Sequence, residues 1–437
     1  MNALALNIAM FVPLILLLAS GAPLFAVIGT IGIISGLAIG GPNVLLIFAM
    51  RVYDLMISYS LVAVPLFILM ANLLQRSGVV EELFQAVFQW SGKIRGSIAI
   101  ATVITGVILA AMIGVVGASV ITLGLLALPA MRLRKYNQKL AIGTVCAAGS
   151  LGILIPPSIM PIFYSAATQV SVIDLFAGSI LPGFIMAFLF CCYIGFMVFV
   201  KPDYAPSIEE NEAIKGFWNK LKLGKSLVAP FIIIASVLVT ILLGIASPTE
   251  AAGVGVFAVL VLLIFRKRLS YEVIKTSLLS TITATGMALW IAFASTCFVG
   301  AYAMGGGQDF AVTLLSELPG ERWGALIFTQ IIYVILGMFI DWIGITLLIV
   351  PIFTPALIAM GFDPVWVGII FMVNMQISFL SPPFGYALFY VKGIVPSEVS
   401  MSQVWLGALP FLMIQVITLL ICLLFPETIM YLPEALR

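Results

Sequence analysis

Two stretches of the chain combine oxygen-bearing residues with a double proline inside a long apolar segment. The first is GSLGILIPPS at residues 149–158, within apolar residues 140–170, and the second is residues 374–385 around Pro382-Pro383. Proline removes a backbone donor and clashes with the preceding turn, so each stretch is predicted to be a broken helix. Inside hydrocarbon, unwound backbone is tolerated where it finds partners in protein, in a cavity or on a ligand. Its free carbonyls, with nearby hydroxyls, could therefore bind a small cation.

The composition defines the environment in which these stretches must work. The chain has 437 residues, of which 63% are hydrophobic and 9% charged, and its mean hydropathy is +1.24. A water-facing surface needs more charge than this. The apolar runs are continuous rather than alternating, which predicts an all-α polytopic protein in a lipid bilayer. The net charge of +2 comes from basic residues scattered in short loops, so no nucleic-acid partner is expected.

Several residue types that enzymes commonly use are missing or badly placed. Histidine is absent, and the five cysteines lie in apolar runs without metal-ligand spacing. No Ser–Lys dyad or pair of acids falls at mid-membrane, so the chain is not predicted to be an enzyme. The N-terminus has no basic residue before its apolar run, which predicts a first membrane helix and no cleaved signal.

Two long apolar blocks are each predicted to form a re-entrant hairpin. Residues 97–131 are too long for one straight span, have a glycine-rich centre and are flanked by basic residues at both ends, so the predicted tip lies near Gly117. Residues 323–360 are interrupted at Asp341, and a second broken helix is predicted at 365–392. The remaining predicted spans are 4–20, 23–41, 57–75, 176–200, 228–244, 248–265, 276–302 and 405–426, with amphipathic helices at 76–90 and 309–318.

The two halves of the chain repeat. Pro129 and Pro355, the two double prolines, and Phe163-Tyr164 and Phe389-Tyr390 form three pairs, each 226 residues apart (382 − 156, 390 − 164). The predicted division is a first repeat at 1–200 (hairpin 97–131, broken helix 140–170), a cytoplasmic linker at 201–227, and a second repeat at 228–437 (hairpin 323–360, broken helix 365–392).

The distribution of basic residues indicates that the repeat is inverted. With the linker inside, 17 of the 20 basic residues fall on the cytoplasmic side and only Arg51, Arg322 and Arg437 fall outside, as the positive-inside rule requires. The first hairpin then enters from the cytoplasm, the second enters from the opposite face, and both termini lie outside. Such inverted repeats, with hairpins and broken helices, are typical of secondary transporters.

Polar residues collect where the hairpin tips should meet the broken helices. Serine and threonine in membrane helices often bond only their own backbone or bridge helices, which is the alternative to a site role. Asp341 could coordinate a cation, take up a proton or cap the helix that follows it. No basic residue falls at either tip or break, so amides, hydroxyls or an arginine from a partner would have to hold an anion. The polar residues are Ser119, Thr122, Gly149, Ser150 and Ser158 in the first half, and Asp341, Thr346, Asn374, Gln376, Ser378 and Ser381 in the second.

These motifs resemble a known family. GSLGILIPPS, with Gly117-Ala118-Ser119 before it and SPTEAAG (247–253) after it, is similar to the large membrane subunit of tripartite ATP-independent periplasmic (TRAP) transporters of the bacterial inner membrane. The resemblance implies an elevator mechanism, in which a transport domain moves across a scaffold, coupled to a Na⁺ gradient with no other cofactor. It also implies a separate small membrane subunit and a periplasmic substrate-binding protein that delivers an organic acid.

The resemblance also implies residue roles. Na⁺ would bind at two sites and the substrate between them. Two alternatives remain open: a stand-alone Na⁺/carboxylate symporter of the related ion-transporter superfamily, and a purely structural assembly subunit. The implied cation ligands are Ser119, Gly149, Ser150 and Gly152 at the first break, and Asp341, Thr346, Asn374 and Gln376 at the second. The implied substrate contacts are Ser119, Thr122, Ser158, Gly344, Ser378 and Ser381.

Overall fold

The computed structural model describes residues 3–90, 95–206 and 217–436, and in these ranges the secondary structure is helical, without strands. Seven segments in these ranges are long and apolar enough to cross a membrane. The chain is therefore a polytopic all-α membrane protein, as its composition predicts. The seven segments are Tyr59–Arg76, Val116–Leu133, Val172–Val200, Pro248–Phe265, Tyr271–Met304, Trp342–Ala359 and Met401–Leu424.

Five helices precede the first hairpin. The stretch around Arg51 and Asp54, which is not among the predicted spans, is helical and forms α3. The amphipathic α5 buries Val80, Phe84 and their apolar neighbours against protein, including α6 and α11. The five are α1 (Ala3–Ala19), α2 (Leu24–Gly40), α3 (Val44–Met56), α4 (Ala63–Arg76, after a 3-10 turn at Tyr59–Val62) and α5 (Val79–Trp90).

The first hairpin is formed by α6 (Ser97–Ile113) and α7 (Val116–Leu133). Its turn lies at Gly114 and Val115, three residues before the predicted tip at Gly117. Gly114 takes a left-handed φ of +62°, which glycine adopts without steric cost, and Val115 is extended. Gly117 instead lies in the first turn of α7.

The first broken helix consists of α8 (Gln138–Ser150), a 3-10 turn (Leu151–Ile153) and α9 (Ile159–Thr168). The residues between them, 154–158, are not helical, which agrees with the break predicted at the double proline. Ser158 has an extended backbone and stands at the N-cap position of α9. α10 (Val172–Val200) then completes the first half.

The predicted linker is partly helical. Residues 207–216 lie outside the described ranges, but α11 (Phe217–Leu242) begins inside the interval 201–227 that was predicted as linker. The helix extends into this interval because lysine and leucine are good helix formers, so a basic composition does not stop a helix. Three helices follow: α12 (Pro248–Phe265), α13 (Tyr271–Met304) and α14 (Gly307–Ser316).

The second hairpin and broken helix follow in the same order as the first. One arm of the hairpin is α15 (Glu321–Gly337). The other is α16 (Trp342–Gly344), which continues through a π-helical turn (Ile345–Ile349) into α17 (Val350–Ala359). The broken helix consists of α18 (Pro364–Leu380) and α19 (Tyr386–Ile394). The chain continues with α20 (Met401–Leu424) and α21 (Glu427–Leu436), and α21 was not predicted.

Each hairpin packs on the broken helix of the other repeat. α7 of the first hairpin packs on α19 of the second broken helix, and α17 of the second hairpin packs on α9 of the first. We call α6–α9 and α15–α19 the hairpin unit. The outer helices are α1–α5 and α11–α14; among them α2 packs along α13 and α4 along α12, while α14 also packs on α15 and α17. The hairpin tips thus come together beside α13.

Candidate functional site

A cavity of about 600 Å³ lies where both hairpin tips meet the outer helices. One wall consists of the turn between α1 and α2 and the middle of α13. The other is built from the two tips and α19. Its lining includes Val115, Val116 and Gly117 from the first tip, Phe339, Ile340, Asp341, Trp342 and Ile343 from the second, and Tyr386 and Tyr390 from α19.

The polar side chains of this cavity are a carboxylate and two phenols. Tyr386 and Tyr390 are one helical turn apart and therefore share a face of α19, and Asp341 lies within electrostatic range of both. Asp341 stands at the N-cap position of α16, near the amides of Trp342 and Ile343, but without the geometry of a capping hydrogen bond. Its half-buried carboxylate is thus available to a ligand. Neither tyrosine was predicted from the sequence.

Ser119 lies at the first break with an unused hydroxyl. Its Oγ is fully buried and has no hydrogen-bond partner. A Cβ at Gly152 would lie 2.9 Å from this Oγ, so the glycine leaves the hydroxyl its space. Gly149 plays a packing role, because a Cβ there would lie 2.3 Å from a methyl of Val120. The structure thus brings Ser119 next to Gly152, and Gly149 next to Val120, the residue that follows Ser119.

The other two serines of the first break differ from each other. Ser150 donates to the carbonyl of Ala147 (2.9 Å) and accepts from Nε2 of Gln415 (3.1 Å), so protein already occupies its hydroxyl. Gln415 was not predicted from the sequence. Ser158 Oγ is fully buried without a partner, and Gly114 at the hairpin turn packs on its backbone. The first break therefore offers the hydroxyls of Ser119 and Ser158.

Two buried amide side chains stand before the second break. Asn374 Nδ2 donates to the backbone carbonyl (3.0 Å) and to Oε1 (2.8 Å) of Gln330, which leaves Asn374 Oδ1 without a partner. Gln376 is fully buried, and neither of its amide atoms has a partner. Buried polar groups are normally hydrogen-bonded, so these orphaned oxygens are available to a ligand. Gln330 was not predicted from the sequence.

Three predicted hydroxyls in the second half bond to backbone. Thr346 donates to Trp342 O (2.7 Å), Ser381 to Ile377 O (2.8 Å), and Ser378 to the carbonyl of Tyr333 in α15 (3.4 Å). A hydroxyl that donates a hydrogen bond keeps its oxygen lone pairs. These three hydrogen bonds are nevertheless enough to explain why the hydroxyls of Thr346, Ser381 and Ser378 can be buried without a ligand.

Two predicted substrate residues face the outer helices. Thr122 accepts a 2.7 Å hydrogen bond from Nε2 of Gln75 on α4. Gly344 packs on Leu24 at the start of α2, where a Cβ would lie 2.8 Å from its side chain. Of the predicted site residues, Asp341 lines the 600 Å³ cavity, whereas Ser119, Thr122, Ser158, Gly344, Ser378 and Ser381 are not among its lining residues.

The donors at both breaks suit a particular kind of cation. Within the described ranges, no group of three or more His, Cys, Asp or Glu side chains could hold a metal ion. The available ligands are hydroxyl, amide and backbone oxygens, with one carboxylate at the second tip. Such neutral oxygen ligands fit a weakly bound hard cation rather than a transition metal.

Comparison with known proteins gives one consistent family. A family model described as "Tripartite ATP-independent periplasmic transporter, DctM component" matches residues 8–428. The chain is 31% identical over 392 residues to the "C4-dicarboxylate TRAP transporter large permease protein DctM" of Pseudomonas aeruginosa, covering 88% of this chain and 89% of that protein. It is 29% identical over 389 residues to the "Ectoine/5-hydroxyectoine TRAP transporter large permease protein UehC" of Ruegeria pomeroyi, covering 86% of each.

Further similarities concern another substrate and the fold. The "Sialic acid TRAP transporter large permease protein SiaM" of Vibrio cholerae is 27% identical over 384 residues, covering 86% of this chain and 87% of that protein. Among solved structures, the YdaH transporter of Alcanivorax borkumensis has a TM-score of 0.66 at 14% identity, covering 89% of this chain and 90% of that one. MtrF of Neisseria gonorrhoeae has a TM-score of 0.59 at 13% identity, covering 89% and 84%. At these identities the structural likeness concerns the fold alone.

Proposed function

Because the chain belongs to the TRAP transporter family, as a large permease subunit, we propose that it imports a small organic acid by an elevator movement coupled to Na⁺. The chain is a transporter subunit rather than an enzyme, since its relatives are transporter permeases. Its partners in this proposal are a small membrane subunit and a periplasmic binding protein, and its location is the bacterial inner membrane with both termini outside. The hairpin unit would move against the outer helices.

The orphaned polar atoms at both breaks carry this proposal. Ser119 Oγ and Ser158 Oγ at the first break, and Asn374 Oδ1 and Gln376 Oε1 before the second, are fully buried without protein partners. Leaving such an atom unsatisfied costs about 1–3 kcal/mol. A Na⁺ ion bound to such an oxygen would recover this cost with a ligand of the right chemistry. Asn374 and Gln376 are two residues apart on α18 and so face different sides of the helix, which means that one ion would take only one of these two oxygens. In this proposal Na⁺ is a transported substrate that these oxygens bind.

The cavity of about 600 Å³ at the hairpin tips, which we call the central cavity, suits the organic acid. It lies between the two breaks and is open to both tips, so substrate and ions would bind to the same moving unit. Its lining contains no basic residue. The backbone amides at the start of α7 would therefore meet the carboxylate, while Tyr386 and Tyr390 would donate to it. The differing substrates in the relatives' names support assigning the choice of acid to the binding protein.

Reconstituted uptake tests the proposal. The chain would be purified with its small subunit, placed in proteoliposomes and supplied with the binding protein, and a panel of radiolabelled organic acids beginning with C4-dicarboxylates would be offered. Uptake is expected to require both an inward Na⁺ gradient and the binding protein. Full uptake without the binding protein would support the stand-alone symporter instead, and uptake independent of Na⁺ would contradict the coupling.

Ser119→Ala is expected to weaken the Na⁺ dependence. Removing one oxygen ligand should raise the Na⁺ concentration for half-maximal uptake by roughly tenfold, the equivalent of about 1.4 kcal/mol. The matched control is Ser277→Ala on α13, because Ser277 Oγ is also buried without a partner but belongs to the outer helices. Equal Na⁺ dependence of the two variants would count against an ion at Ser119.

Gly117→Ala is expected to disturb substrate binding through Tyr390. A Cβ at Gly117 would lie 2.7 Å from the ring of Tyr390, so the ring must move into the cavity. We expect the KM for the organic acid to rise by about tenfold, in the range that overpacking produces. Gly393→Ala is the control, because it lies on the same helix as Tyr390 and no atom lies within 4 Å of its added Cβ. A normal KM in Gly117→Ala would mean that Tyr390 does not contact the substrate.

A further inference from the structure

A second cavity, of about 360 Å³, lies between the outer helices and the hairpin unit. It contains the two charged side chains of α3, Arg51 and Asp54. Its other lining residues are Leu55, Ser58, Ala166, Ala167, Gln169, Ala292, Thr296, Val299, Leu347 and Pro351. The positive-inside distribution assigns Arg51 to the outer face of the membrane, so we call this space the outer cavity.

The outer cavity continues the line of the central one. On α13, Ala284 to Ile291 line the central cavity and the next stretch, Ala292 to Val299, lines the outer one. The second hairpin also contributes to both, with its tip in the central cavity and Leu347 and Pro351 in the outer one. The two cavities therefore share the same two walls. Their centres along α13, near Met287 and Thr296, are roughly 13 Å apart at 1.5 Å per residue.

The charges of the outer cavity are unused by the protein. Arg51 and Asp54 are three residues apart on α3, a spacing at which opposite charges commonly pair. Within the described ranges, however, neither side chain makes an ion pair or a hydrogen bond. Gly300 of α13 packs beside Arg51, since an added Cβ there would lie 3.5 Å from its guanidinium, and both Arg51 and Asp54 are exposed and so accessible to a ligand. An unpaired guanidinium next to an unpaired carboxylate matches a ligand that carries both an anion and a donor.

We propose that the outer cavity is an entry subsite for a carboxylate that also bears a hydroxyl or ammonium group. Arg51 binds the carboxylate through paired N–H donors, and Asp54 accepts a hydrogen bond from the hydroxyl or ammonium. The inference rests on the proposed function, because it concerns the organic acid that the central cavity would carry. It supplies the basic group that the central cavity lacks. The central cavity, with the carboxylate of Asp341 and no basic residue, also favours a substrate that carries donors.

Uptake kinetics provide the first test, with L-malate as the hydroxy acid and succinate as the analogue without the hydroxyl. Arg51→Gln should raise the KM for L-malate by roughly tenfold or more, and Arg51→Lys should restore part of the loss. Asp54→Asn should remove most of the preference for L-malate over succinate. Arg322→Gln is the control, since Arg322 is also assigned outside but lies over the rings of Trp323 and Phe362. An unchanged KM in Arg51→Gln, with wild-type uptake intact, would overturn the subsite alone.

A chemical readout decides the subsite even if the reconstituted protein transports neither acid. Ser58→Cys places a thiol in the outer cavity. L-malate should slow its modification by a methanethiosulfonate reagent, and succinate should do so less. Arg51→Gln in this background should abolish the protection, whereas Arg322→Gln should preserve it. Protection that survives Arg51→Gln, or no protection by L-malate at all, would refute the subsite.

Discussion

Asp341→Asn is expected to reduce Na⁺-driven uptake of the organic acid by ten- to hundredfold while the protein still folds. Asparagine keeps the shape of the side chain but removes the charge that faces the central cavity. Contacts to a charged group contribute about 1.5–3 kcal/mol, and each 1.4 kcal/mol changes an equilibrium tenfold. Initial uptake rates as a function of Na⁺ and substrate concentration would show which affinity is lost.

The control for this variant is Asp309→Asn. Asp309 is exposed in the first turn of α14, away from both cavities, and its replacement should leave uptake within about twofold of wild type. If Asp341→Asn behaves like Asp309→Asn, Asp341 serves only the start of α16. If it abolishes binding of the acid but not of Na⁺, the carboxylate contacts the substrate rather than the ion.

Gly143→Ala should be among the most destabilising single-methyl additions in the chain. α8 and α20 touch through glycine: a Cβ at Gly143 would lie 2.0 Å from the carbonyl oxygen of Gly407, and a Cβ at Gly407 would lie 2.6 Å from that of Lys139. A backbone oxygen cannot rotate away as a side chain can, so the two helices must separate. Overpacking of this kind costs about 1–3 kcal/mol, and we expect the upper end.

Thermal unfolding of the detergent-purified protein would measure this cost. Gly286→Ala on α13 is the matched control, because no atom lies within 4 Å of the added Cβ and alanine favours a helix by up to about 1 kcal/mol. Gly143→Ala should unfold at a clearly lower temperature than wild type, and Gly286→Ala at the same or a higher one. Equal midpoints for the two variants would show that α8 and α20 adjust to the methyl without loss.

The breaks could be predicted from sequence because their cause is local. A double proline stops a helix whatever surrounds it, and α8 and α18 each end shortly before their double proline. The hairpin turn was harder to locate, since Gly114 and Gly117 are both in the same stretch. Gly114 takes the turn, whereas Gly117 serves a tertiary need, the space for the ring of Tyr390. That need comes from a residue 273 positions away (390 − 117).

The functional residues that were not predicted also depend on tertiary contacts. Gln330 bonds Asn374 across 44 positions, Gln415 bonds Ser150 across 265, and Arg51 reaches the second hairpin only through the fold. Hydropathy and the positions of helix-breaking residues do not reveal which side chains meet across such distances in the sequence. Tyr386 and Tyr390 had a weak signal, because they share one helical face directly after the second break. The partners of these side chains therefore could not be predicted from the sequence, whereas the order of hairpin and broken helix in each half could.

The hydrogen bond between Gln75 and Thr122 has a consequence for the proposed movement. It joins α4 of the outer helices to α7 of the hairpin unit, and both groups are uncharged. A neutral bond of this kind contributes about 1 kcal/mol net, which changes a population ratio by roughly fivefold. Such a bond biases the resting equilibrium without locking it. The hydrogen bond would therefore favour the resting position only slightly, and the free energy of the ion gradient would break it easily.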